Sequence, residues 1–246
     1  MRHFVRETSR NDKVFSVKNP EVAPEASPAS ADTDTRRMLH DSAAAFCGAE
    51  TTLSRTRGLR GCEPDFERGL WGKIAEQGWL GILVPEHLGG SGLGHAEMRI
   101  VAEQMARALM PEPLTACAVF ARGVLLYGAN DALKQALLPA LASGKLVASV
   151  ACCETGGELD PDVPPATTAG RRGSSIFLNG VKRYVAPVSG VDGYIVSAND
   201  SGKLALYWVP AGSKGLTKTT TPRADGTQSG TLQLSDVETS AAQRIA

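Results

Sequence analysis

The spacing of apolar residues changes once along this chain, near residue 146, and that change limits the architectures open to it. Upstream, Met38, Leu39, Ser42, Ala45 and Phe46 share one face, and Phe66, Leu70 and Ile74 another. Met98, Val101, Ala102, Met105 and Leu109 form a third stripe at helical spacing. Downstream the chain reads as short strands, VASVAC, SSIFLNGVKRYV, DGYIVSA, KLALYWV, GLTKTT and GTLQLSDV, with turn residues between them. Helices first and strands afterwards build two segregated layers, not alternating βαβ units. The expected fold class is therefore α+β. A helical bundle over 34–145 is followed by an antiparallel β-barrel or sandwich over 146–246.

Local signals refine this outline. The segment NPEVAPEASPASADTDT is rich in Pro, Ala, Ser and acids and offers almost nothing to bury, so residues 1–33 read as a disordered leader. The second helix is expected to start at Pro64–Asp65, with proline in its tolerated early position, and to stop at Gly78. Gly89, Gly90, Gly92 and Gly94 make a loop able to approach other backbone closely. Asp131 is expected to cap a helix that Pro139 closes. Asn179-Gly180 is expected to turn one strand into the next.

Several function classes drop out. Lys plus Arg and Asp plus Glu each number 26, so no global field favours nucleic acid or an anionic membrane. No apolar run approaches the roughly 18–20 residues that a membrane-spanning helix needs. The four histidines are scattered, and no metal-ligand spacing is present. The five cysteines are odd in number and lack a CxxC pair, which points to free thiols in a reducing, cytoplasmic setting. The glycine loop lacks a GK[ST] ending and is no phosphate loop.

Three stretches carry a family resemblance: GWLGILVPEHLGGSGLG, LLPALASGKLVASVACCETGGELD and LNGVKRYVAPVSGVDGYIV. In order and separation they resemble acyl-CoA dehydrogenases from about residue 34 to the end. The likeness covers the amino-terminal helical and middle β-domains of that family. Its carboxy-terminal helical domain, which carries the usual glutamate base, has no counterpart before Ala246. The resemblance implies FAD as cofactor and an acyl-CoA thioester as substrate. It also implies a homo- or hetero-oligomer in which an acyl-CoA dehydrogenase-like partner completes the pocket.

The resemblance also implies a site. Val150, Cys153, Glu154 and Gly156 would lie along the flavin at the end of the first strand, with Leu159 near substrate. Tyr184, Val185 and Ala186 would face the flavin from the second motif. No residue is assigned as the base. Three positions lose a hydroxyl of the family pattern, and Tyr184 stands in place of its tryptophan. Cys153 stands where a threonine hydroxyl bonds the flavin ring, Leu159 where a serine is usual, and Ala186 where a threonine or serine is usual. Other readings stay open: Glu154 as a solvated strand-end residue, Tyr184 as a packed strand aromatic, and the whole chain as a non-catalytic binding or assembly module. An unpartnered chain is expected to expose an apolar patch larger than monomers usually do.

Overall fold

The computed structural model describes residues 33–155 and 163–246, so residues 1–32 of the expected leader, Gly156 and Leu159 lie outside the described residues, while Thr33 already begins a helix. The helical layer comprises α1 (Thr33–Glu50), α2 (Leu53–Gly58), α3 (Arg68–Glu76), α4 (His95–Arg107), a π-helical turn at Thr115–Ala121 running into α5 (Arg122–Tyr127), and α6 (Asp131–Ala142). Its core gathers Ala43 and Cys47 from α1, Leu70, Trp71 and Ile74 from α3, and Met98, Val101 and Met105 from α4. The expected stripe Phe66, Leu70, Ile74 is buried throughout.

The sequence expectations need correction at several helix faces and ends. On α1 the buried face is Ala43 and Cys47 with Leu39 and Phe46 against it, while Met38, Ser42 and Ala45 are exposed. The face is rotated because Phe46 turns edge-on to Trp79, with ring centroids 5.0 Å apart. Helix α3 begins at Arg68, not at Pro64–Asp65, and the sequence reading also missed α2. The Asp65 carboxylate accepts from the backbone of Gln228 at 2.5 Å, which holds the approach to α3 against the sheet and out of the helix. Leu109 leaves the α4 stripe. It lies beyond the helix at φ 54 and is exposed, and Met110 turns inward in its place. Asn130, not Asp131, caps α6 by accepting from Leu133 N. Pro139 does not close that helix, because the burial of Leu138, Leu141 and Ala142 around it outweighs one lost hydrogen bond.

The glycine loop folds back on residues 81–84. Ser91 N donates to Gly81 O, Leu93 N to Ile82 O and Gly92 N to Val84 O. A Cβ on Gly90 would sit 2.0 Å from Val84 O, so only glycine fits this approach.

Seven strands form one sheet that curls into a half-barrel: β1 (Ala148–Ala151), β2 (Thr168–Arg172), β3 (Ser175–Val185), β4 (Gly193–Asp200), β5 (Lys203–Pro210), β6 (Leu216–Pro222) and β7 (Gln228–Thr239). The helices-then-strands order holds, but the sheet is mixed rather than antiparallel. β4 carries β5 antiparallel on one edge; its other edge is shared by β1 and then β2, both parallel to it. β4 is buried along nearly its whole length. Tyr194, Val196 and Ala198 enter the half-barrel core, whereas Ile195 packs with Leu138, Leu141 and Ala148 under the helices. A strand covered on both faces reads as a continuous apolar run, as GYIVSA does.

The expected Asn179-Gly180 turn is overturned: both residues lie inside β3, which runs unbroken to Val185. The hairpin turn instead falls at Gly173, φ 62, between β2 and β3. Asn179 spends its side chain across the sheet, donating to Asp236 Oδ1 and accepting from Asp236 N. Gly180 is small for a different reason, since a Cβ there would meet Thr167 Cα at 2.6 Å.

Candidate functional site

The alternation that buries Ile176 and Leu178 of β3 also directs Lys182 inward, where it is 0% exposed. A buried ammonium needs partners. Its Nζ donates to Glu154 Oε1 at 2.6 Å and to Ser197 Oγ of β4 at 2.8 Å. Glu154 follows the end of β1 and also accepts from Ala166 N at 2.6 Å and Thr167 N at 2.9 Å. Both carboxylate oxygens are thus taken up inside the chain. Burial pushes the Glu154 carboxyl up, but Lys182 and the Thr167 and Ala166 donors outweigh it and hold it at about 2. Burial lowers the Lys182 ammonium below the usual lysine range, against the pull of Glu154.

The next residue of β3 joins the two expected cofactor segments. Arg183 N donates to Cys153 O at 2.8 Å, which sets the 153 turn directly beside Tyr184. At this point β3 accommodates an extra residue. Its partner register passes from Lys182↔Leu232 to Val185↔Gly230, three steps on β3 against two on β7. Tyr184 takes φ 57 within this bulge and lies 62% exposed, while Val185 turns inward to 1%. A left-handed backbone at a bulky residue stores strain of about 1–3 kcal/mol.

The other expected residues lie on or just after the same strands, β1 and β3. Val150 is half-buried on β1, opposite Ile195. Cys153 is half-buried next to Cys152, whose thiol burial and the neighbouring sulfur both push up. Ala186 is half-buried and, with Pro187, lines a cavity of about 280 Å³. The cavity's other walls come from the end of α4 and the stretch after it, including Met105, Met110, Glu112 and Thr115, and from Arg223 and Gln228. It lies between the helical layer and the sheet. The Arg183–Cys153 bond thus brings the Cys153 and Tyr184 segments to one edge, and Ala186, two residues on, lines the cavity.

Sequence reasoning missed Lys182, Ser197 and Thr167. The signal for Lys182 was available, because its position in SIFLNGVKRYV matches the inward parity of Ile176 and Leu178. Among the described residues no group of three or more His, Cys, Asp or Glu could hold a metal ion. No described helix is long and apolar enough to cross a membrane.

Comparison with known proteins bears on what this edge is. Residues 33–145 match the family description "Acyl-CoA dehydrogenase, N-terminal domain". The structure of an acyl-CoA dehydrogenase complexed with FAD from Bacillus anthracis superposes with a TM-score of 0.76 at 26% identity, over 87% of this chain and 38% of that one. Residues 33–145 thus form the amino-terminal domain of the acyl-CoA dehydrogenase family. The ChsE4-ChsE5 complex from Mycobacterium tuberculosis gives a TM-score of 0.75 at 28% identity, covering 87% of this chain and 57% of that one. Acyl-CoA dehydrogenase FadE27 of the same organism is 29% identical over 80% of this chain and 51% of its own length. The mitochondrial isovaleryl-CoA dehydrogenase of Pongo abelii is 34% identical over 61% of this chain and 34% of its own length. The chain thus spans about a third to a half of the length of these two curated relatives.

Proposed function

We propose that this chain supplies the flavin-contacting half of an acyl-CoA dehydrogenase-like enzyme that acts with FAD on an acyl-CoA thioester in the cytoplasm, and that a partner chain of the same family completes it. One observation carries the reading. In a chain that carries this family's amino-terminal domain, a backbone bond from Arg183 to Cys153 sets the residue before exposed Tyr184 against the end of the first strand.

The residues present fit a flat ring system. Tyr184 offers an exposed aromatic side chain at a β-bulge, and the backbone of Cys153, just after β1, bonds the residue before it. When bound, FAD supplies a hydride acceptor for the β-carbon of the thioester. The chain's own residues would position that ring, and the cavity between the helical layer and the sheet would seat the acyl group. Glu154 is not available as the base that takes the α-proton, since Lys182 and two backbone amides occupy its carboxylate. The base is sought outside the described residues.

The lost hydroxyls at Cys153 and Ala186 weaken the grip on the cofactor. Each neutral hydrogen bond contributes a net ~0.5–1.5 kcal/mol, so two together cost roughly tenfold in affinity and up to about a hundredfold. Flavin binding survives such a loss. The test is to purify the chain with its partner, titrate FAD and read the visible flavin absorbance. A yellow complex that reduces an artificial acceptor with an acyl-CoA is expected. A colourless complex that takes up no added FAD would favour the other reading, a non-catalytic assembly module, to which Cys153 and Ala186 already lean.

A further inference from the structure

We infer that Lys182 is a positioning residue: fully buried, it holds the Tyr184 ring beside Cys153 and so shapes the cofactor-facing edge without touching the cofactor. The inference rests on the flavin reading above for its purpose, and on the chain's own geometry for its substance.

The ammonium group is a junction. Through Glu154 it ties the end of β1 to Ala166 and Thr167 on the approach to β2, and through Ser197 it ties β3 to β4. Ser197 Oγ is also 3.4 Å from Cys152 O, so the backbone just before Cys153 is bound to the same knot. Immediately after Lys182, Arg183 N bonds Cys153 O, and Tyr184 then takes its left-handed conformation in the bulge. A tyrosine stays there only when both flanks over-determine it. Buried Val185 fixes the far flank, and Lys182 fixes the near one. A hydrophobic side chain at 182 would fill the same volume, but it could not fasten three strands to one point. The use of a buried charge here is explained by position, since burial alone gives a lysine no advantage over an apolar residue.

The experiment uses the full chain labelled with 3-fluorotyrosine and observed by fluorine NMR. Four tyrosines give four lines, assigned by tyrosine-to-phenylalanine variants. Lys182→Met is expected to shift and broaden the Tyr184 line while Tyr194 and Tyr207, deep in the half-barrel core, keep theirs. An unmoved Tyr184 line overturns the inference. So does equal displacement of all three, which would show a purely structural role. Should Lys182→Met fail to fold, Ser197→Ala removes one of the two ammonium bonds and is expected to move the Tyr184 line in the same direction by less. No movement there overturns the inference as well. In the FAD titration, Lys182→Met is expected to weaken binding about tenfold, and unchanged affinity counts against positioning. A wild-type complex that binds no FAD sinks the flavin reading and leaves the NMR result to stand on its own.

Discussion

Replacing Glu154 by glutamine tests the buried knot most directly, because it removes a charge and almost no volume. The carboxyl falls from its ordinary 4.5 to about 2 in the folded chain. Such a fall corresponds to roughly 3 kcal/mol of stability at neutral pH. The side chain keeps 18% of its surface in contact with water, and screening there reduces the figure to about 2 kcal/mol. The sign follows from linkage. A depressed carboxyl contributes fully above its unfolded value and loses that contribution as pH falls through the folded one. The wild type should therefore exceed Glu154→Gln by about 2 kcal/mol at pH 7, and the difference should shrink steadily below pH ~4.5. A second signature is expected on the alkaline side. Without Glu154, the Lys182 ammonium is held even further below the lysine range, so raising the pH towards ~10 should restore part of the deficit. Urea unfolding followed by far-ultraviolet circular dichroism at several pH values measures both effects. A difference that stayed constant from pH 7 to pH ~3 would refute the reasoning, because the pair would then contribute only shape.

Gly180→Ala should destabilise by about 2 kcal/mol or more, since the new methyl would lie 2.6 Å from backbone at Thr167, which cannot swing away; equilibrium unfolding checks this. Thiol labelling should separate the cysteines by depth. Cys62 is exposed and should react first, whereas burial pushes the Cys117 thiol up to about 12 and that of Cys47 up to about 11. Both buried thiols should resist a thiol-specific reagent at pH 8 until the chain is unfolded, as counted by mass spectrometry.

How far the sequence discloses this molecule depends on the residue considered. Leu70 and Ile74 were readable because one helix face decides their fate, and Phe66, just ahead of that helix, is buried with them. Leu109 and Met38 were not, since their exposure depends on where α4 stops and on which side Trp79 presents to α1. Asn179-Gly180 carried the strongest local turn signal in the chain and misled. Tertiary demands, Asp236 across the sheet and Thr167 at the backbone, govern both residues. At the candidate site, the nearness of Cys153 and Tyr184 followed from the family likeness, but the part played by Glu154 did not. Its engagement depends on Lys182, a residue 28 positions away that becomes its neighbour only when β1 and β3 meet.

The way β1 joins the sheet bears on how the chain comes together during synthesis. Val147 and Asp192, which bond as β1 meets β4, are 45 residues apart, so the strand emerges from the ribosome well before its template exists. Bringing those ends together costs roughly 3 kcal/mol of chain freedom. Nothing repays it until β4 arrives to accept β1 on one half of an edge and β2 on the other. A nascent chain stopped short of Asp200 would thus present a raw apolar ribbon beneath its helices, the state in which a holding chaperone would find most to grip.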